Sequence, residues 1–282
     1  MKYVLPTRYT VFLVTLLILS PSAERSRGAD DQYKPGDFPG PTESLYFYNE
    51  TVMQLALGKE VNLNGRILRM RYSTVAPGGV IGQHSHSDRP IVEYILQGTA
   101  TETKKSGDGK VVVKSVGKDE AELSTVEVTH WWKNESKEMV KIMAVDIGKG
   151  DVSSICRPPG SPRTEPLQPP VNADNIKIEY MGSHDLAVQF PGIPEAKDYV
   201  MRCRRLTILP KQKTKLGNGT DNPSVTYIIK GDVWENRSDE ASSIRRTGEY
   251  SVATNGISYY WENPTIEPVI LFVVDIVRKD RQ

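Results

Sequence analysis

Apolar residues recur in short runs or in alternation, and turn residues interrupt them every ten positions or so. Val111–Val116, Val140–Ile147 and Pro268–Ile276 read as strands, as do Leu68–Pro77 and Met201–Pro210. Clusters such as Lys105–Lys110 and Lys215–Thr220 are rich in Gly, Asn, Asp and Ser and mark turns between them. No segment carries the three-to-four residue period of an amphipathic helix. The pattern predicts an all-β protein.

The same pattern occurs twice. Leu68–Pro77 aligns without gaps on Met201–Pro210, and Val92–Gly98 aligns on Val225–Gly231, both at an offset of 133. Trp132–Asn134 then meets Trp261–Asn263, and Val145–Ile147 meets Val274–Ile276, at an offset of 129. Four blocks in the same order imply a tandem duplication. Between the copies, Cys156–Pro170 holds 6 prolines in 15 residues, a composition that excludes helix and central strand. The expected organisation is a removable leader over 1–23, a loose segment over 24–44, a first unit over 45–150, a proline-rich linker over 151–174 and a second unit over 175–282.

Charge is nearly balanced, with 36 basic and 35 acidic side chains, which argues against nucleic acid as a partner. The leader reading rests on Lys2 and Arg8, the apolar run Val11–Leu19 and the small residues Ser20–Ala23. Nine apolar residues span about half a bilayer core, so the expectation is export to the periplasm or medium, with no membrane partner after cleavage. Two cysteines, Cys156 and Cys203, do not make a disulfide framework. Cys203 reads as a small core residue.

Candidate chemistry lies in the histidines. There are only 4, and His84 and His86 sit two apart on a predicted strand, where side chains share a face. His130 comes from a distant strand and is followed by Trp131, Trp132 and, four residues on, Asn134. Imidazoles converging from separate strands suit a divalent metal ion. The remaining histidine, His184, reads as a turn or surface residue. Arg89 lies just after the histidine pair, where its guanidinium can hold a carboxylate or phosphate or stand in solvent. The second unit has lost this set: Gly217, Gly219 and Tyr259 replace His84, His86 and His130, and Thr226 replaces Glu93. Trp234, Tyr259, Tyr260 and Trp261 there read as core or as a stacking pocket.

Gly78, His84, His86, Gly98, His130 and Asn134 stand at the spacing of the two cupin motifs, and the chain resembles the cupin superfamily over residues 60–150 and 195–278. The resemblance implies two tandem double-stranded β-helix (jelly-roll) barrels, a metal-type first cupin and a degenerate second one. It also implies one divalent transition metal (Fe, Mn, Ni, Zn or Cu) on His84, His86 and His130, and units that pack together and can dimerise. One departure matters, because the family's glutamate ligand stands at the position of Ile91. Either the site is a three-histidine one, or Glu93 reaches the ion through a local bulge or hydrogen-bonds a bound ligand. The family's chemistry then suggests a metal-dependent dioxygenase acting on a small organic substrate, with Glu93 as candidate base and Arg89 beside it. A metal-assisted lyase or decarboxylase, and a non-catalytic small-molecule-binding cupin, are the alternatives.

Overall fold

The β-branched and aliphatic runs form strands because alternate side chains can be buried on one face of a pleated sheet. The computed structural model describes Phe38 and residues 40–281, apart from 59, 60, 64, 151–160, 172, 174, 175, 220, 221 and 255. The leader and Cys156 lie outside the described residues.

In the first half the strands are β1 (Leu45–Ala56), β2 (Arg66–Ser85), β3 (Ile91–Gln97), β4 (Thr99–Lys105), β5 (Val111–Gly117), β6 (Ala121–Ser124), β7 (Thr129–Lys133) and β8 (Val140–Lys149). They form one sheet in the order β5-β4-β7-β2-β8-β3-β6, with β1 also paired to β2. The 20-residue β2 carries this sheet around a bend. Its first part pairs with β8 through Arg66–Val75, and its last part pairs with β7 through Val80–Ser85. The result is a nearly closed barrel.

The second half contains β9 (Ile176–Asp185), a four-residue helix α1 (Leu186–Gln189), β10 (Tyr199–Ile208), β11 (Gly217–Asn218), β12 (Ser224–Lys230), β13 (Val233–Arg237), β14 (Ser243–Arg245), β15 (Tyr250–Ala253), β16 (Ser258–Glu262) and β17 (Val269–Arg278). One sheet runs β15-β12-β17-β10-β9 and the other β11-β16-β13-β14. If β10 and β11 are taken as one interrupted strand, this is the order of the first half. The registers agree as well, since Leu68 faces Ile147 as Met201 faces Ile276. Likewise Glu93 faces Glu122 as Thr226 faces Ser251.

Local structure repeats with the register. Asn134 donates its amide to the carbonyls of Val75 and Glu138, at 2.9 and 2.7 Å. Asn263 does the same to Ile208 and Glu267, at 2.9 and 2.7 Å. Each amide oxygen also accepts from the backbone N–H two residues on. The asparagine of the second cupin motif is therefore a turn-former in both halves. Gly98 and Gly231 hold φ of 79° and 89°, a left-handed turn that an L side chain strains to adopt.

Each half has an apolar cluster inside its sheets, around Trp132, Ile142 and Val75 in the first and Trp261, Leu271 and Ile208 in the second. A third cluster joins them. Met70, Tyr94, Val145 and Ile147 pack there with Met201, Val225, Phe272 and Ile276. The Tyr94 and Phe272 rings lie 4.8 Å apart at its centre.

Two expectations need correction. The segment 24–44 is not loose over its described part. Phe38 is buried, its carbonyl accepts from Gln83, and Pro41 and Ser44 accept backbone N–H groups of β2. His184 is not a surface residue either. It is 2% exposed on β9, and its Nε2–H donates to the Ile91 carbonyl at 2.9 Å, a partner 93 residues away in sequence. Cys203 is buried with a free thiol. Among the described residues no helix is long and apolar enough to cross a membrane.

Candidate metal centre

The first cupin motif lies on the last part of β2, where its pairing with β7 shifts register between Ile81 and His84. Gly82 sits in that irregularity, and a Cβ there would come within 2.8 Å of the Glu43 backbone. Beyond it, His84 and His86 point to one side of the strand. His130 on β7 is the cross-strand partner of His84.

The three rings form a triangle with centroids 5.0, 4.5 and 4.7 Å apart. His130 Nε2 lies 3.0 Å from His84 Nε2 and 2.9 Å from His86 Nε2. The other ring nitrogens face outward. Nδ1 of His84 meets the Gly82 carbonyl at 2.9 Å, Nδ1 of His86 meets the Arg89 carbonyl at 3.0 Å, and Nδ1 of His130 meets Glu102 Oε1 at 2.5 Å. Carbonyls and carboxylates accept, so each Nδ1 carries the hydrogen and each Nε2 presents a lone pair. Three lone pairs at these separations repel unless a cation lies between them.

Burial keeps the rings neutral. It drives His84 and His86 well below the usual histidine range, assisted by the charge of a protonated His130, and it brings His130 down to about 3. His84, His86 and His130 would each offer one Nε2 to a shared divalent ion, a donor set suited to a transition metal. The residues fit one divalent transition metal ion. His86 and His130 are fully buried, while His84 is only partly covered and marks the accessible side.

Glu93 does not leave its strand through a bulge. It stays in register with Glu122 on β6 and Ala144 on β8, and the β3 irregularity comes later, between Ile95 and Gln97. Its Oε2 lies 3.8 Å from His130 Nδ1, on the side of that ring turned away from the other two imidazoles. Burial, then the charge of Glu102, pushes Glu93 up to about 8, and Oε2 has no hydrogen-bond partner. Ile91, at the family's glutamate position, is 1% exposed.

Arg89 follows the turn after His86. Its Nε is 3.9 Å from Oδ2 of the buried Asp146, which also binds Arg69 at 3.0 Å and Arg71 at 2.9 Å. Burial alone would raise Asp146, but Arg71 and Arg69 hold its carboxyl below the usual range. The second half repeats the triad, with Asp275 bound by Arg202 at 2.8 Å and Arg204 at 2.6 Å. Arg69, Arg71 and Asp146 therefore belong to the scaffold. Arg89 has no such counterpart, since position 222 is asparagine.

Sequence reasoning missed Glu102. On β4, Ala100, Glu102 and Lys104 share a face, and Val233, Glu235 and Arg237 occupy the same face of β13. An acid and a base two residues apart, present in both copies on an otherwise inward face, were a legible signal.

No family model and no curated protein matches this chain. Solved structures do. Bacillus subtilis oxalate decarboxylase, studied for its Mn(II) centres, is 15% identical over 87% of this chain and 80% of that one, with a TM-score of 0.53. Lactobacillus farciminis oxalate decarboxylase, in a formate complex, is 12% identical over 88% of this chain and 92% of that one, also at 0.53. A cupin-2 conserved barrel domain protein from Leptotrichia buccalis aligns at 9% identity and a TM-score of 0.49, over 86% and 92% of the two chains. At these identities the likeness is one of fold. The all-β, nearly closed barrel with the motif residues gathered inside it is consistent with a cupin jelly-roll.

Proposed function

We propose that this chain is a metal-dependent enzyme that binds a small carboxylate at the three-histidine centre and cleaves the adjacent carbon–carbon bond, a decarboxylase-type reaction. The observation that carries the metal reading is the convergence of three Nε2 lone pairs whose Nδ1 hydrogens are all donated elsewhere. His84, His86 and His130 would hold the ion. When bound, it supplies Lewis acidity toward a coordinated carboxylate. Three neutral ligands leave its full charge for an anion, and Arg89, the arginine peculiar to this half, would orient a carboxylate arriving past His84. The fold likeness to two oxalate decarboxylases adds weight to decarboxylation.

A dioxygenase at the same centre is the second reading, favoured by the buried Ile91 where a carboxylate ligand would stand. One experiment separates the two. Metal-loaded protein is given a panel of small mono- and dicarboxylates, flavonols and thiols with and without dioxygen. Carbon dioxide release in both atmospheres supports the decarboxylase, and stoichiometric oxygen uptake supports the dioxygenase. Ligand binding without turnover in any metal form would overturn both in favour of a binding protein.

The proposal extends to the whole chain. The repeated strand order supports a second cupin barrel whose site has been filled. The basic–apolar leader supports export, which N-terminal sequencing of the mature protein would test.

A further inference from the structure

A chain of charged groups leads away from the back of His130. Glu102 takes the Nδ1 hydrogen with Oε1, and its Oε2 lies 3.2 Å from Lys104 Nζ. Lys104 is also 3.2 Å from Glu122, which in turn pairs with Lys114 at the surface. Glu102 and Glu122 are thus two carboxylates facing two ammonium groups, with the Glu93 carboxyl beside His130. The second half keeps the glutamate but neutralises it differently. Glu235 pairs with Arg237 at 3.1 Å and Arg245 at 2.6 Å, arginines that also pair with Asp239 and Glu240, accepts from Ser251, and faces no histidine. Around Glu102 the one ammonium is shared with Glu122, and the second carboxylate oxygen is left to His130.

We propose that Glu102 is a positioning residue for the metal centre, fixing the Nδ1-protonated tautomer of His130 and supplying from behind the ligand the negative charge that Ile91 does not supply at the ion. The inference rests on the three-histidine centre binding a divalent ion. A carboxylate that accepts Nδ1–H orients the ring and makes Nε2 a better donor. The carboxylate is buried and is held in place by Lys104 rather than by solvent.

The test uses Mn(II) alone, titrated into the wild-type protein, His84→Ala, Glu102→Asp, Glu102→Gln and the double variant Glu102→Gln/Lys104→Met. In the double variant no buried ammonium is left without a carboxylate, and Glu122 keeps its pair with Lys114. The charge-removing variants are expected to bind Mn(II) about 10–100-fold more weakly than wild type, while Glu102→Asp stays within about tenfold. The Mn(II) electron paramagnetic resonance signal should change in the charge-removing variants. Equal affinity in wild type and the double variant would overturn the role of Glu102 and leave the centre standing, as would equal losses in Glu102→Asp and Glu102→Gln. Absence of Mn(II) binding by wild type, or unchanged binding by His84→Ala, would overturn the centre itself.

Discussion

A Cβ placed on Gly217 would come within 3.0 Å of Cζ of Tyr259, so the tyrosine ring occupies the space a side chain at 217 would need. Gly217 pairs with Tyr259 as His84 pairs with His130. The position equivalent to His86 is tighter still, with the Thr254 carbonyl oxygen 2.1 Å from a Cβ on Gly219. The second half is thus filled as well as stripped of ligands. Restoring histidines at 217 and 259 should leave metal content at one ion per chain by elemental analysis. Gly219→His should lower the melting temperature outright. A second equivalent of tightly bound metal would contradict this account.

Metal should stabilise the fold. At a free concentration 100 times Kd the gain is about 2.7 kcal/mol, or roughly 5–10 °C in Tm for a domain of this size. His86→Ala should abolish that shift. In metal-free protein the same substitution removes one of three opposed lone pairs, so it should cost less than burial alone suggests. Thermal melts of both proteins with and without Mn(II) check the contrast.

Glu93 and the histidines should oppose each other in pH dependence. The folded state raises Glu93 from 4.5 to about 8, so it favours the protonated form. Relative to glutamine, Glu93 costs nothing below pH 4.5, and its cost grows as pH rises toward 8, by up to about 1.4 kcal/mol per pH unit. The imidazoles are shifted down instead, His130 from 6.5 to about 3. Their contribution is present above pH 6.5 and drains as pH falls. In metal-free protein the stability advantage of Glu93→Gln should therefore widen between pH 4.5 and 8, read by denaturant unfolding. A constant difference would refute the buried, protonated Glu93.

Arg89 and Arg71 should separate cleanly. Arg89→Gln is expected to weaken binding of a small carboxylate about 10–100-fold, the loss of a hydrogen bond between charged groups, with Mn(II) affinity and Tm nearly unchanged. Arg71→Met and its counterpart Arg204→Met strip a partner from a buried aspartate and should each cost about 3 kcal/mol. Calorimetric titration with oxalate, beside melts of all three, tests the division into ligand-binding and scaffold arginines.

Much of this was written in local pattern. Period-two alternation determined the strands, and the block offsets of 133 and 129 anticipated the paired registers, such as Leu68–Ile147 and Met201–Ile276. The spacing of His84 and His86 put them on one face, because residues two apart on a strand share it whatever surrounds them, and the resemblance to the two cupin motifs added His130. The expected strand Val111–Val116 is β5, one residue shorter than observed.

Other features depended on which strands meet when the sheet closes. His184 lacked a local partner, and only the packing of β9 against the first half brought it to the Ile91 carbonyl. Glu102 showed its inward face in sequence, but its contact with His130 required β4 to pair with β7, 28 residues on. Glu93 stood on the right strand face, yet the geometry of closure put its carboxylate behind His130. Alternation is a property of one strand and survives in the sequence. Proximity across a curled sheet depends on register, bulges and curvature summed over many residues, and those only the tertiary structure decided.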